Sequence, residues 1–357
     1  MQNYTLEKKE DIEKTFNNPN NVPSSNPNSE IEAPQTQNGI NNFFPLIFSL
    51  KVILDSLHCQ QKTIYLQKEL RGANNSIIEF IVNELCGFYR EIISDKNGNY
   101  FISDLIKICE QKHRIKILEE LSPTLSEDCL NCFATHPIQT LIDRASSETE
   151  YKHILISFND YNKFLTASLD PNGAYTIKKI IERIPNRFRS EFNYIFCSFI
   201  GFTSKTKFGI ITVKKFIACS KSDTINSLVM NFVRNNFMDL AANQYANYLI
   251  QFLLEIWINT PEGNEIKEMI FKNFQEMCEK KYSSFICESF IKIIPLEEKI
   301  ELIKSLDLDY ILKSNNNHLM KIMKALGINQ NETKDFQFPL SLNSDFVNSS
   351  HINKNMG

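Results

Sequence analysis

Ala246-Asn247-Tyr248-Leu249-Ile250-Gln251 is the stretch on which the reading of this chain turns. A helix advances about 100° per residue, which puts Asn247, Tyr248 and Gln251 at roughly 0°, 100° and 40°. Leu249, Ile250, Leu253, Leu254 and Trp257 fall between roughly 200° and 340°, so a dense apolar stripe backs an arc carrying two amides and a phenol. Two hydrogen-bonding ends beside an exposed ring can read the edge of a nucleobase and stack on its face. The layout recurs 37 residues later as Ser284, Phe285 and Glu288.

That recurrence extends along the chain. With Gln251 closing a five-residue window, similar closing positions are Gln67, Ser103, Gln139, Lys178 and Lys214 before it, and Glu288 and Lys321 after it. Successive spacings from Gln67 to Lys321 are 36, 36, 39, 36, 37, 37 and 33 residues. Each window is followed by an apolar run such as Leu105-Ile106 or Ile180-Ile181, and Gly98, Gly173, Gly209 or Ala246 often precedes it. No convincing period-two alternation appears. The pattern predicts an all-α solenoid of eight stacked repeats, each giving one helix to a shared concave face.

Composition agrees with such an array. The chain has 357 residues, 42% of them hydrophobic, and only 10 glycines, few for a sheet-rich protein. A net charge of −3 gives no general basic signature and counts against indiscriminate nucleic-acid binding. Residues 1–45 hold Pro19, Pro23, Pro27, Pro34 and Pro45 among Asn, Ser and Gln, a composition that predicts a disordered extension. The repeats are expected over residues 46–327, and a flexible tail over 328–357. The apolar run Phe43–Leu57 is interrupted by Lys51 and Asp55 and is too short to span a bilayer. Nine scattered cysteines and no apolar leader segment point to a reduced, intracellular, soluble protein.

The windows resemble those of the Pumilio (PUF) family, most firmly over Asn243–Gln251; Lys280–Ser289 looks like the family repeat that follows it, and Asp95–Ser103, Asp170–Lys178 and Lys207–Lys214 are similar to other family repeats. The resemblance covers about residues 47–327. It implies a right-handed superhelical crescent in which each repeat reads one base of single-stranded RNA. Readers stand at the first and fifth window positions and a stacking residue at the second, and the RNA runs antiparallel to the protein. Carried over by position, Asn247, Tyr248 and Gln251 look like a uracil reader. Ser284, Phe285 and Glu288 look like a guanine reader. Asn317 and His318 look like a second uracil reader, with Lys321 where Gln is expected. Thr135, His136 and Gln139 resemble a pyrimidine reader.

Other windows depart from the pattern. Asn99 and Tyr100 fit, but Ser103 is too short to reach as Gln would; Thr63 and Gln67 flank an apolar plate, Ile64. Tyr175 keeps only the ring beside Ala174 and Lys178, and Ile210, Ile211 and Lys214 keep no base reader. Lys178, Lys214 and Lys321, helped by Lys179 and Lys215, suit phosphate contact. Reading is therefore expected to be sharp over about three bases near the RNA 5′ end, a UGU-like core, and loose downstream.

No cofactor, metal site or catalytic residue is expected. Cys129-Leu-Asn-Cys132 is a lone pair without zinc-ligand company and reads as buried thiols. His136 and His318 sit at stacking positions without an Asp or Ser partner, and no phosphate loop or nucleophile elbow is present. The resemblance implies a cytoplasmic, monomeric binder of mRNA 3′ untranslated regions that represses translation or promotes decay by recruiting a deadenylase or repressor on its convex face. Two alternatives stand beside it: a nucleolar ribosome-assembly relative holding structured RNA, and a protein-binding scaffold of the HEAT or armadillo kind.

Overall fold

The computed structural model describes residues 47–57 and 59–328 of the chain, all within its larger unit, Phe44–Gly357. The extension expected over residues 1–45 lies outside the described residues, as does the expected tail apart from Ile328. Ile328 itself is buried against the core, so the packed array runs one residue further than the sequence pattern suggests.

Among the described residues there are helices and no strands. The first run is α1 (Leu50–Leu57), α2 (Gln60–Arg71), α3 (Asn75–Glu84), α4 (Tyr89–Ile93) and α5 (Gly98–Ile108). Next come α6 (Gln111–Leu121), α7 (Leu125–Asp128), α8 (Thr135–Arg144), α9 (Glu148–Ile156) and α10 (Tyr161–Leu169). The chain continues with α11 (Pro171–Arg183), a single 3-10 turn (Asn186–Phe188), α12 (Ser190–Thr203), α13 (Gly209–Ser220) and α14 (Asp223–Ala242). It closes with α15 (Asn247–Trp257), α16 (Pro261–Glu279), α17 (Ser283–Ile293), α18 (Leu296–Lys304), α19 (Leu308–Lys313) and α20 (Asn317–Ala325). The helix α14 is broken at Asn236, whose backbone leaves helical geometry at φ −130°.

Eight of these helices, α2, α5, α8, α11, α13, α15, α17 and α20, carry the windows, and each packs on the next in that order. The solenoid is therefore a row of window helices backed by the remaining ones. Its core is the apolar stripe of each window helix. Phe101, Ile102, Leu105 and Ile106 on α5 are fully buried, as are Leu249, Ile250 and Leu253 on α15. Their counterparts on α17, Ile286, Cys287 and Phe290, are fully buried too. Burying each such side chain contributes roughly 1.5–3 kcal/mol, and the stripe repeats in every window helix. Between the fourth and fifth windows the core is aromatic, with Phe196 and Phe216 stacked at 4.1 Å between centroids.

Two local devices fix how the window helices after the first one start. An Asn or Asp side chain accepts hydrogen bonds from the backbone N–H groups two and three residues on. Asp95 does so from Asn97 and Gly98, both at 2.7 Å. Asn131, Asp170, Asn243 and Asn316 repeat the arrangement. These bonds satisfy N–H groups that a helix start leaves unpaired. The second device is close approach: a Cβ at Gly173 would stand 2.4 Å from the Ala167 carbonyl oxygen, and one at Gly209 only 2.1 Å from that of Thr203. Ser283 occupies the same place before the seventh window, and its hydroxyl donates to the equivalent carbonyl, that of Met277, at 2.6 Å.

A buried ion pair ties the second and third repeats together. Glu150, fully buried, caps α9 with Ser147 and accepts from Arg114 Nε at 2.8 Å, from the Ser146 and Ser147 N–H groups, and from the Ser147 hydroxyl. Burial pushes its carboxyl upward, but the bonds from Ser146, Ser147 and Arg114 outweigh this and hold it below the ordinary range.

Candidate nucleic-acid interface

The Asx turns index the windows. Four residues after Asp95, Asn131, Asp170 and Asn243 come Asn99, Thr135, Ala174 and Asn247, each the first position of its window. All four are buried, with an exposed residue following and two buried ones after that. Thr63, Ile210 and Ser284 show the same buried-then-exposed order.

In the last repeat this indexing corrects the expectation from sequence. Asn316 is the Asx residue, so the first position is Met320, 36 residues after Ser284, and not Asn317. Ile322 and Met323 are buried where Leu249 and Ile250 are in the sixth window. Asn317 and His318 sit instead in the first turn of α20, ahead of the window, and Lys321 takes the second position rather than the fifth. Lys324 closes the window. The shortened spacing of 33 was the signal of a slipped register.

The second positions form a continuous row of exposed groups. Ile64, Tyr100, Tyr175, Ile211, Tyr248 and Phe285 are between 40% and 59% exposed, which excludes a core-packing role for the rings. His136 is also exposed, and its ring stacks on Tyr100 at 6.3 Å with 25° between planes. Between the plates of the fourth and fifth windows lies a shallow slot lined by Ala174, Tyr175, Lys178 and Ile211.

The first and fifth positions are linked in the sixth and third windows. Asn247 is 1% exposed; its Nδ2 donates to the Asn243 carbonyl at 2.9 Å, and its Oδ1 accepts from Gln251 Nε2 at 2.9 Å. In the third window Gln139 Nε2 donates to Thr135 Oγ1 at 3.0 Å. The second window shows what the wrong fifth residue costs. Asn99 Nδ2 donates to the Asp95 and Lys96 carbonyls, but Ser103 turns its hydroxyl back to the Asn99 carbonyl, and Asn99 Oδ1 is buried without a partner. In the first window Thr63 bonds to the Ser56 and Cys59 carbonyls and leaves Gln67 to other partners.

In the seventh window Ser284 donates to the Lys281 carbonyl at 2.8 Å. Glu288 is paired with Lys321 at 3.1 Å and lies 3.8 Å from Lys292. The lysines of the central windows are less free than the sequence suggests. Lys179 pairs with Asp143 at 3.0 Å and Lys215 with Glu182 at 2.9 Å, so both are committed to carboxylates between repeats. Lys178 lies 3.9 Å from Glu182, and Lys214 sits over the Phe252 ring at 5.0 Å. Asp104, Asp143, Glu182, Phe252 and Ser289 were not legible as part of the site; their signal is an offset from the fifth position of their window, one residue for Asp104, Phe252 and Ser289 and four for Asp143 and Glu182.

Of the Cys129–Cys132 pair only Cys129 is buried, and burial pushes its thiol up to about 12; Cys132 is exposed, against the expectation of two buried thiols. Among the described residues no group of three or more His, Cys, Asp and Glu is placed to hold a metal ion, and no helix is long and apolar enough to cross a membrane.

Comparison with known proteins places these observations. A family model described as a Pumilio-family RNA binding repeat matches residues 89–122 and 236–257, which contain the second and sixth windows. The chain is 24% identical to Suppressor protein MPT5 of Saccharomyces cerevisiae over 258 residues, 68% of this chain and 29% of that protein. It is 25% identical to Pumilio homolog 11 of Arabidopsis thaliana, over 72% of this chain and 46% of that one. It thus spans less than half the length of these relatives. Among solved structures, the Puf4 RNA binding domain bound to a 3′ UTR recognition sequence aligns with a TM-score of 0.68 at 19% identity, covering 76% of this chain and 85% of that one. The RNA-binding domain of yeast Puf5p bound to SMX2 RNA aligns at 0.61 and 20% identity, over 76% and 75%. The resemblance to the Pumilio family is borne out, and the fold is that of the Puf solenoids.

Proposed function

We propose that this chain, with its Pumilio-family repeats on a Puf-type solenoid, binds single-stranded RNA in a sequence-specific way, one base per window. The observation that carries the reading is the unbroken row of exposed second-position groups beside buried first-position groups. Such a row offers stacking plates at a regular interval, and a protein-binding scaffold of the same helices has no need of it.

Specificity is concentrated in the sixth and seventh windows. Asn247 and Gln251 suit uracil, and Ser284 with Glu288 suits guanine, because a carboxylate accepts from the donor edge of that base. With the RNA antiparallel, as in the family, these windows read a GU step. The corrected eighth window presents Met320, Lys321 and Lys324, so the uracil that would complete a UGU-like core meets a cation and no amide. The third window, Thr135-His136-Gln139, adds looser pyrimidine reading, and the central windows hold the strand without reading it. We further propose that the chain acts on mRNA 3′ untranslated regions in the cytoplasm, without enzymatic activity of its own, by recruiting a repressor or deadenylase. Tyr194 and Phe202, 65% and 67% exposed on α12 and away from the windows, support a contact surface on the backing helices.

Selection from a random RNA library tests the reading. Enrichment of a GU-containing element is expected, and Ser284→Asn with Glu288→Gln should shift guanine to uracil at one position. Enrichment of RNA with no common element, or binding governed by secondary structure, would sink it in favour of a ribosome-assembly role.

A further inference from the structure

The fifth-position side chain of three windows is met by the residue that follows the next window. Gln67 Nε2 donates to Asp104 Oδ2 at 2.8 Å. Lys214 Nζ lies 5.0 Å from the centroid of the Phe252 ring. Gln251 Oε1 accepts from the Ser289 hydroxyl at 3.0 Å. Asp104, Phe252 and Ser289 hold the same place, one residue beyond the fifth position of their own windows. The partner differs in chemistry each time, while the geometry of the contact recurs.

Both glutamine contacts have a defined polarity. A carboxylate only accepts, so Asp104 draws the Gln67 amide nitrogen to itself and turns the carbonyl oxygen away. In the sixth window the direction is set from the other end. The Asn243 carbonyl holds Asn247 Nδ2, which leaves Asn247 Oδ1 facing Gln251, where only an N–H group fits. Gln251 Oε1 is then directed at Ser289, whose hydroxyl proton is shared with the Phe285 carbonyl, also at 3.0 Å. Rotating the Gln251 amide would set two carbonyl oxygens against each other at Asn247. The result is a one-way relay from Ser289 through Gln251 and Asn247 to the backbone.

We infer that the residues after the second and seventh windows, Asp104 and Ser289, are positioning residues for the fifth-position glutamine of the preceding repeat, so that selectivity for one base is written across two repeats. Ser289 holds in place the edge that Asn247 sets on Gln251, and Asp104 sets that of Gln67. The inference rests on Gln251 being the base reader proposed above, and takes Gln67 to face a base in the same way in the first window. It goes beyond a code held in three residues of one helix: a window transplanted without its downstream partner would lose part of its selectivity.

The test is random-library RNA selection on the full chain and on Gln251→Ala, Ser289→Ala and Ser289→Thr. The RNA position whose preference collapses in Gln251→Ala is the one beneath the sixth window. Ser289→Ala should lower preference there by roughly threefold to tenfold, the net worth of one hydrogen bond, and leave the other positions unchanged. Ser289→Thr keeps the hydroxyl and should retain the preference. Asp104→Ala, read at the position affected in Gln67→Ala, provides a second case should Ser289→Ala fail to fold. Unchanged preference in these variants, or an equal drop at every position, would overturn the positioning role and leave RNA reading intact. Absence of any base preference in the unmodified chain would overturn the reading itself, and this inference with it.

Discussion

The fourth and fifth windows and the sixth and seventh windows are alike in backbone, burial order and exposed plates, and unlike in polar equipment. Ala174 and Ile210 are buried where Asn247 and Ser284 are buried, yet they have nothing to offer a base. Tyr175 and Ile211 stand exposed just as Tyr248 and Phe285 do. Holding a strand and reading it are therefore separable in this fold. The apolar stripe and the plate make the groove, and two side chains per repeat make the code.

The comparison assumes one scaffold beneath both regions, and the strongest perturbation tests that assumption. Glu150→Ala strands Arg114 in the interior between the second and third repeats and should cost about 3–5 kcal/mol in a denaturant titration. The Glu150 carboxyl titrates lower in the folded state than in the unfolded chain. Its contribution is therefore present above the ordinary carboxyl range and is lost as pH falls through the depressed folded value, a loss that Glu150→Gln should abolish in acid melts. Next in size is the plate. Tyr248→Ala should weaken RNA binding by about 1–3 kcal/mol, and Ile211→Ala by less, because a branched alkyl group lacks a ring face. Equal effects of the two would show that the ring face adds nothing to a plate beyond its apolar bulk.

A graft sharpens it further. Ile210→Asn with Lys214→Gln places the sixth window's pair on the fifth, with the Thr206 carbonyl available to Asn as the Asn243 carbonyl is to Asn247. A new uracil preference of about 1 kcal/mol at a formerly indifferent position is expected from competition binding with the four single-base variants. The smallest effect belongs to the cations. Lys178→Ala with Lys214→Ala should weaken binding of all sequences alike and reduce the salt slope of log K by about 0.7 for each phosphate that is no longer neutralised.

The solenoid was legible in the sequence because its core stripe and its windows share one helical period, and a spacing near 36 residues makes that period conspicuous. Tyr100, Tyr175 and Tyr248 were identifiable for the same reason: a ring on the polar arc has no core to enter. The last window was misplaced because Asn317 and His318 imitate a reading pair, and only the hydrogen bonds of Asn316 show that they open the helix. The pairing of Lys179 with Asp143 and of Lys215 with Glu182 joins residues more than 30 positions apart, which no local pattern announces. Ser289 and Asp104 were hidden differently. Each belongs to one repeat by sequence and serves another through its side chain.

The Asx turns ahead of the windows have a consequence for how such an array changes length. Five of the eight windows, the second, third, fourth, sixth and eighth, are re-phased by their own Asn or Asp, so an insertion ahead of one of them is absorbed before that helix begins. The interval between the third and fourth windows is 39 residues against 36 on either side, and Asp170 still places Ala174 in register. The chain thus works as a self-synchronising counter: surplus residues lengthen the interval between two counts, and the count itself is preserved.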